Sequence, residues 1–383
     1  MLNLPQPDAA AMAVSNTLVA QIRGEIAQAG GVMDFSRYME LALYAPGLGY
    51  YSAGAQKLGG AGDFVTAPEI SPLFGEVLAG QIAQVLEQCG GNIYEAGAGS
   101  GALAEVVLAT LARKGMLPEQ YCILEPSPDL RERQASRLAQ QVPEWFDRVV
   151  WLDSWPDSLR GCVIANEVLD AMPVHVVHWQ KNKLVQRGVT IEDGALAWGE
   201  LPLPDGALRE TAQAIDVPED YVSEIGLIGQ AWVADLARRL TAGALLLIDY
   251  GFGEREYYHP QRRKGTLMCH YRHHAHDNPF FLPGLQDITA HVDFTAVAVA
   301  GIREGLELAG YTSQAYFLIN GGITDLLAQV PLEPALQHAR VTAAAQRLLS
   351  PSEMGELFKV LALTRNISRP LPGFVQGDMR RRL

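Results

Sequence analysis

The sequence is sparing with cysteine and with positive charge. Its cysteines are Cys89, Cys122, Cys162 and Cys269, and no two stand in a CxxC spacing. That excludes paired-cysteine zinc modules and the dithiol redox motif, and it leaves no disulfide framework to hold the fold. Cys122 and Cys162 open apolar strand-like runs, so the cysteines are read as reduced and mostly buried. Lys and Arg number 30 against 43 Asp and Glu, a formal net charge of -13. A broad, salt-dependent grip on nucleic acid needs many cations to neutralise phosphates, so no nucleic-acid partner is expected. No basic residue precedes Arg23, and Pro5, Pro7 and Asp8 interrupt the first fifteen residues, so neither a signal peptide nor an Arg-rich presequence is expected. No apolar run approaches the roughly 20 residues that cross a bilayer. The expectation is a cytoplasmic protein without a membrane span.

What is present is a long α/β pattern. Leu18, Ile22 and Ile26 lie four apart and predict a helix over 17–29, followed by a second over 35–44 that Pro46 stops. Ser71-Pro72 reads as an N-cap and first-turn proline, and Gly90-Gly91 as the stop of that helix. Residues 1–91 are therefore expected to form an N-terminal helical region. From Ile93 onward, short apolar runs alternate with helical patterns, the signature of βαβ units and a parallel sheet. Strands are predicted at 93–96, 121–125, 148–152, 162–166, 244–249, 314–319 and 358–364. Helices are predicted at 102–114, 129–140, 221–240 and 294–309. Residues 174–200 alternate around Asp193-Gly194 and predict antiparallel hairpin strands. The expected fold is a Rossmann-like α/β core over 92–383, with insertions at about 174–220, 253–290 and 320–352.

The first strand runs into Glu95-Ala96-Gly97-Ala98-Gly99-Ser100-Gly101, where glycines permit a tight turn and close approach of backbone N–H groups to a ligand. The Gly97-x-Gly99 pattern alone also fits dinucleotide binding. Glu95 separates the two readings. Its carboxylate would oppose a pyrophosphate and favours S-adenosylmethionine, which carries a sulfonium and an ammonium and no phosphate. Glu125 closes the second strand, where Rossmann-like folds bind a ribose diol. Asp153 follows the third strand at the place suited to an adenine amino group.

Asn166-Glu167 closes the fourth strand, and Asp170 follows three residues later on what reads as a first helical turn. Carboxylates at i and i+3 face one way and could hold a guanidinium. Asn166, Glu167 and Asp170 are the catalytic candidates. Cys269-His270-x-x-His273-His274-x-His276 carries metal-ligating residue types, but its spacing fits no closed zinc pattern, and no metal is expected.

Four further segments carry a family resemblance: Leu43-Tyr44-x-Pro46-x-x-Gly49-Tyr50-Tyr51, Gly62-Asp63-Phe64-Val65-Thr66-Ala67-Pro68-Glu69-Ile70, Asn166 to Val174, and Ala290-His291-Val292-Asp293-Phe294. Together with the glycine loop, the chain resembles the MidA-like methyltransferases, a family that includes a mitochondrial complex I assembly factor with arginine methyltransferase activity. The resemblance implies a class I methyltransferase fold, S-adenosylmethionine as cofactor, and a protein arginine acceptor on a respiratory component. It also implies that Asp63 and Thr66 lie over the cofactor, and that His270 and His274 in the 253–290 arm contact substrate. A small-molecule methyltransferase and a nonenzymatic assembly chaperone stand as alternatives, and the oligomeric state is left open. Gly99→Val is expected to abolish cofactor binding with the fold largely intact, because a side chain there would fill ligand space. Calorimetry with S-adenosylmethionine checks this, and unchanged affinity would place the loop elsewhere.

Overall fold

The computed structural model describes residues 4–52 and 66–383. Contacts gather the chain into two units. One combines residues 66–168, 232–251 and 294–383, and the other residues 4–52, 169–231 and 252–293.

The first unit is built on a twisted sheet whose strands are β1 (Asn92–Ala96), β2 (Tyr121–Leu124), β3 (Val149–Leu152), β4 (Leu159–Asn166), β5 (Leu240–Phe252), β6 (Glu307–Ser313) and β7 (Phe358–Arg365). They lie in the order β3-β2-β1-β4-β5-β7-β6. Pairs from β3 to β5 are parallel, and β7 runs antiparallel to both neighbours. A parallel sheet is covered on both faces, which is why Ala244-Leu245-Leu246-Leu247-Ile248 is an unbroken apolar run without solvent exposure. The strand order reverses between β1 and β4. Ligands of doubly wound sheets bind outside the carboxyl ends of the strands at such a point.

The expected fold class holds, and so do the local signals at the Pro72–Cys89 helix. Ser71 caps it by accepting the Leu73 N–H, Pro72 occupies the first turn, and Gly90 at φ 64° ends it. Its Phe74, Val77, Leu78 and Ile82 enter the same core as Ile93, Tyr121, Ile164 and Leu246 of the sheet. Two expectations fail. Residues 221–240 are a strand, Tyr221–Ile225, and then a helix, Leu227–Arg239. Val222 and Ile225 fit helical spacing, yet Tyr221 and Ser223 point inward at period two and the strand pairs with His175–Gln180. Residues 314–319 form no strand either. Ser313 caps a helix over Gln314–Asn320, and the edge strand is the preceding Glu307–Ser313, freed when Gly305 at φ 85° ends the Phe294–Arg303 helix region.

In the second unit the expected hairpins are present. Lys183–Glu192 pairs antiparallel with Ala195–Pro202 across Asp193 and Gly194, whose φ values of 50° and 77° give the left-handed two-residue turn that matches strand twist. Helices Ala9–Gln28 and Phe35–Tyr44 cover this sheet, and Leu18, Ile22, Phe35 and Tyr38 share a core with Val176 and Val189. The first helix begins at Asp8, whose carboxylate caps the Ala11 N–H, well before the predicted start; its Ala-rich opening has no apolar contrast to read. The 253–290 arm, for which no strand was predicted, holds a three-stranded sheet of Met268–Tyr271, His274–His276 and Asp287–Thr289, with strands too short to show periodicity.

Close packing across β1, β4 and β5 sets a demand on two glycines. Gly161 and Gly243 have φ of 122° and 136°, and a Cβ at Gly161 would stand 1.9 Å from the Asn92 carbonyl oxygen. Gly161→Ala is expected to cost about 2–4 kcal/mol through strain and overpacking. Urea denaturation measures it, and a loss below about 0.5 kcal/mol would contradict this packing.

Candidate functional site

The carboxyl ends of β1 to β4 carry the residues singled out in the sequence. After β1 the chain turns through Gly97, Gly99 and Gly101 at φ of 60°, 55° and 80°, then enters the Ala102–Arg113 helix. Left-handed backbone at alternate positions is costly for any side chain, so Gly97, Gly99 and Gly101 present main chain alone. The Gly97 N–H donates to the Leu124 carbonyl at 3.0 Å, which ties the loop to the end of β2.

Two carboxylates are buried beside it. Glu95, 4% exposed, accepts the Tyr121 hydroxyl at 2.7 Å. Burial pushes its pKa up to about 7; the Tyr121 bond opposes that shift and the Glu125 charge adds to it. Glu125 is buried to the same degree. Its Oε1 accepts the Ser127 N–H at 3.0 Å and its Oε2 an amide hydrogen of Gln134 at 3.2 Å. Burial raises its pKa against the pull of Ser127, Gln134 and Arg131. Asp153 is held differently. It pairs with Arg131 at 2.8 Å and its side chain is 92% exposed. The loop is also braced from outside, where Ser100 donates to Glu69 of the Ala67–Ile70 helix and Arg137 donates to Ser100 at 3.2 Å and Glu105 at 2.7 Å.

At the end of β4, Glu167 takes a left-handed φ of 55°, a conformation uncommon for a residue with a side chain. Its N–H extends the ladder by donating to the Ile248 carbonyl at 2.9 Å. Its Oε1 receives the Asn166 amide at 3.2 Å and the Ala67 N–H at 3.4 Å. The other end of the Asn166 amide, Oδ1, is buried and has no hydrogen-bond partner among the described residues.

The predicted helical clamp is not formed. Residues 167–172 pass through a bend and a turn, so Glu167 and Asp170 do not share a helix face, and Asp170 falls in the other unit. There it is buried, and its carbonyl accepts the Ala290 N–H at 2.9 Å. The positive φ at Glu167 redirects the chain before a helical turn can start. His270 is half-buried in the arm sheet opposite Asp287, and exposed His274 donates from Nδ1 to the Arg272 carbonyl at 2.7 Å. Thr66 stands at the N-cap of the Ala67–Ile70 helix without a side-chain cap bond. Asp63 lies outside the described residues. Among the described residues, no group of three or more His, Cys, Asp or Glu side chains is placed to hold a metal ion. No helix among them is long and apolar enough to cross a membrane.

Sequence reasoning missed Tyr121 and Gln134. Gln134 had a visible signal: it stands four residues from both Leu130 and Leu138, on the apolar stripe of the Pro128–Gln141 helix, and is fully buried. The donor set, with bare backbone facing two buried carboxylates, fits a cationic ligand and would repel a pyrophosphate.

Glu95 makes stability depend on pH. The folded chain keeps its proton to about 7, against an ordinary 4.5. Folded protein then binds more protons than unfolded chain between these values, so the contribution is fully present below the unfolded pKa and is lost as pH rises through 7. Glu95→Gln fixes the neutral form. In cofactor-free denaturation it should match wild type at pH near 4.5 and gain on the order of 3 kcal/mol above about pH 8. A gap that does not change with pH would contradict the raised pKa.

A protein-family model described as "Putative S-adenosyl-L-methionine-dependent methyltransferase" matches residues 77–312. The protein arginine methyltransferase NDUFAF7, mitochondrial, of Mus musculus is 30% identical over 366 residues, which cover 87% of this chain and 81% of the mouse protein. Its Danio rerio counterpart is 29% identical over 399 residues, covering 92% and 90%. A crystal structure of a Burkholderia thailandensis protein bound to S-adenosyl-homocysteine is 48% identical, covers 100% of both chains and aligns with a TM-score of 0.96. The sheet order, the glycine loop and these matches agree: this chain belongs to that family of S-adenosyl-L-methionine-dependent methyltransferases, and S-adenosylmethionine is its cofactor.

Proposed function

We propose that the enzyme methylates a protein arginine, with Glu167 orienting the acceptor. The observation that carries this reading is Glu167 itself, a carboxylate held in left-handed backbone at the end of β4, beside the point where the strand order reverses. Strained backbone persists where surrounding structure over-determines it, and it clusters at functional sites. The mouse and zebrafish relatives, both named as protein arginine methyltransferases, support the arginine acceptor. The family resemblance adds a respiratory component as its carrier.

In this reading Gly97, Gly99 and Gly101 admit the cofactor against bare backbone. Glu95 faces its positive charge, Glu125 accepts from its ribose and Asp153 from its adenine amino group. Bound there, the cofactor supplies a methyl group already activated by a sulfonium. The chain's remaining task is alignment and exclusion of water. A guanidinium stays protonated in water, with a pKa above about 12. Glu167 draws the positive charge to the hydrogen-bonded side of the guanidinium, another nitrogen carries the lone pair toward the methyl, and the proton that the guanidinium gives up as the N–C bond forms passes to the Glu167 carboxylate. The Asn166 Oδ1 accepts a second N–H.

Glu167→Gln keeps size and removes charge. Turnover is expected to fall by at least about 100-fold with cofactor affinity unchanged. Labelled methyl transfer in a cell extract, with calorimetry on the same variant, measures both. Lost cofactor binding would move Glu167 into the cofactor site, and full activity would remove it from the chemistry. Label appearing in metabolites and absent from protein would overturn the protein acceptor.

A further inference from the structure

Three strand ends of the sheet meet on one amide. Gln134 lies on the Pro128–Gln141 helix with no accessible surface. Its Nε2 donates one hydrogen to the Gly99 carbonyl at 2.9 Å and the other to Glu125 Oε2 at 3.2 Å. Its Oε1 accepts the Trp151 indole N–H at 2.9 Å. These partners fix which end of the amide is which. The reversed amide would set its oxygen against a carbonyl and a carboxylate, and its NH2 against an indole that only donates. Leu130 and Leu138 show that apolar side chains suit this face, so packing alone does not call for glutamine here. A buried amide without partners is costly, and the three bonds offset that cost.

The arrangement joins the two halves of the cofactor site. Glu125 Oε1 is held by the Ser127 N–H and Oε2 by Gln134, which pins both oxygens and leaves each a lone pair for a vicinal diol. The other hydrogen of the same NH2 group holds Gly99, the central glycine of the loop. A Cβ at Gly101 would touch the Gln134 Cα at 3.6 Å, so the helix also lies directly against the loop's last glycine.

We propose that Gln134 is a positioning residue that makes ribose recognition by Glu125 and the shape of the glycine loop a single event. The inference rests on the assignment of Glu125 to the ribose made above. It predicts that Gln134 acts on affinity through the diol, where a residue that only supported the fold would weaken every ligand of the loop alike.

The test compares S-adenosyl-homocysteine with its 2′-deoxyadenosyl counterpart by calorimetry on the full chain. Wild type prefers the ribose form. Gln134→Met keeps length and removes all three bonds. It should weaken S-adenosyl-homocysteine by roughly 10- to 100-fold and the deoxy compound far less, so that the ribose preference collapses. Gln134→Glu, which retains helix propensity and size and sets a second carboxylate against Glu125, carries the same comparison if the methionine variant does not fold. Equal losses for both ligands, or a ribose preference that survives both substitutions, would overturn the proposal. A wild type with no ribose preference would instead remove Glu125 from the ribose, a separate failure of the reading beneath it.

Discussion

Buried negative charge at the carboxyl edge of the sheet is the constraint around which this site is arranged. Glu95 and Glu125 are each 4% exposed, and burial acts to protonate both. A carboxylate in that setting needs donors, and the neighbouring strands and helix supply them. They come from Tyr121 on β2, the Ser127 N–H at the start of the next helix, and Gln134 about two turns further into it. None of these donors is itself a cation; Arg131 offsets part of the charge at Glu125, and no cation is among the groups that shift Glu95. A ligand that brings a positive charge completes such a site, and one that brings a pyrophosphate worsens it. The chemistry of the cofactor is thus written into what the sheet leaves unbalanced.

Backbone conformation is the second element. Gly97, Gly99 and Gly101 use the left-handed region freely, while Glu167 uses it at a cost. The glycines make room by having no side chain. Glu167 gains a direction, because the turn sends its carboxylate back toward Asn166 and the Ala67 N–H where a helical start would have sent it along the next turn. Both devices act at adjoining strands, β1 and β4, where the sheet order reverses.

Much of this was legible in sequence because it depends on local rules. Apolar runs of strand length, Ser71-Pro72 before a helix, Gly90 after it and Asp193-Gly194 between alternating strands each have one dominant structural meaning. The failures occurred where tertiary partners decide. Tyr221–Ile225 satisfies two periodicities, and only pairing with His175–Gln180 chooses between them. Glu307–Ser313 reads as a weak helix tail until β7 gives it a ladder. The Glu167 to Asp170 clamp failed because one positive φ, invisible in the residue types, breaks the helical register. Gln134 was passed over because a polar residue on a helix is ordinarily solvated, and its burial follows from how that helix meets the loop.

The unit formed by residues 4–52, 169–231 and 252–293 is discontinuous along the chain. Its core joins Leu18, Phe35 and Tyr38 to Val176 and Val189, and then to Cys269 and Ile288. A chain leaving the ribosome from its N-terminus exposes the first two helices long before their final neighbours have been synthesised. Through most of translation their apolar faces have no native cover, the condition under which nascent domains misassemble or are held by chaperones. Helices Ala9–Gln28 and Phe35–Tyr44 can complete their core only once the chain through Ile288 has emerged.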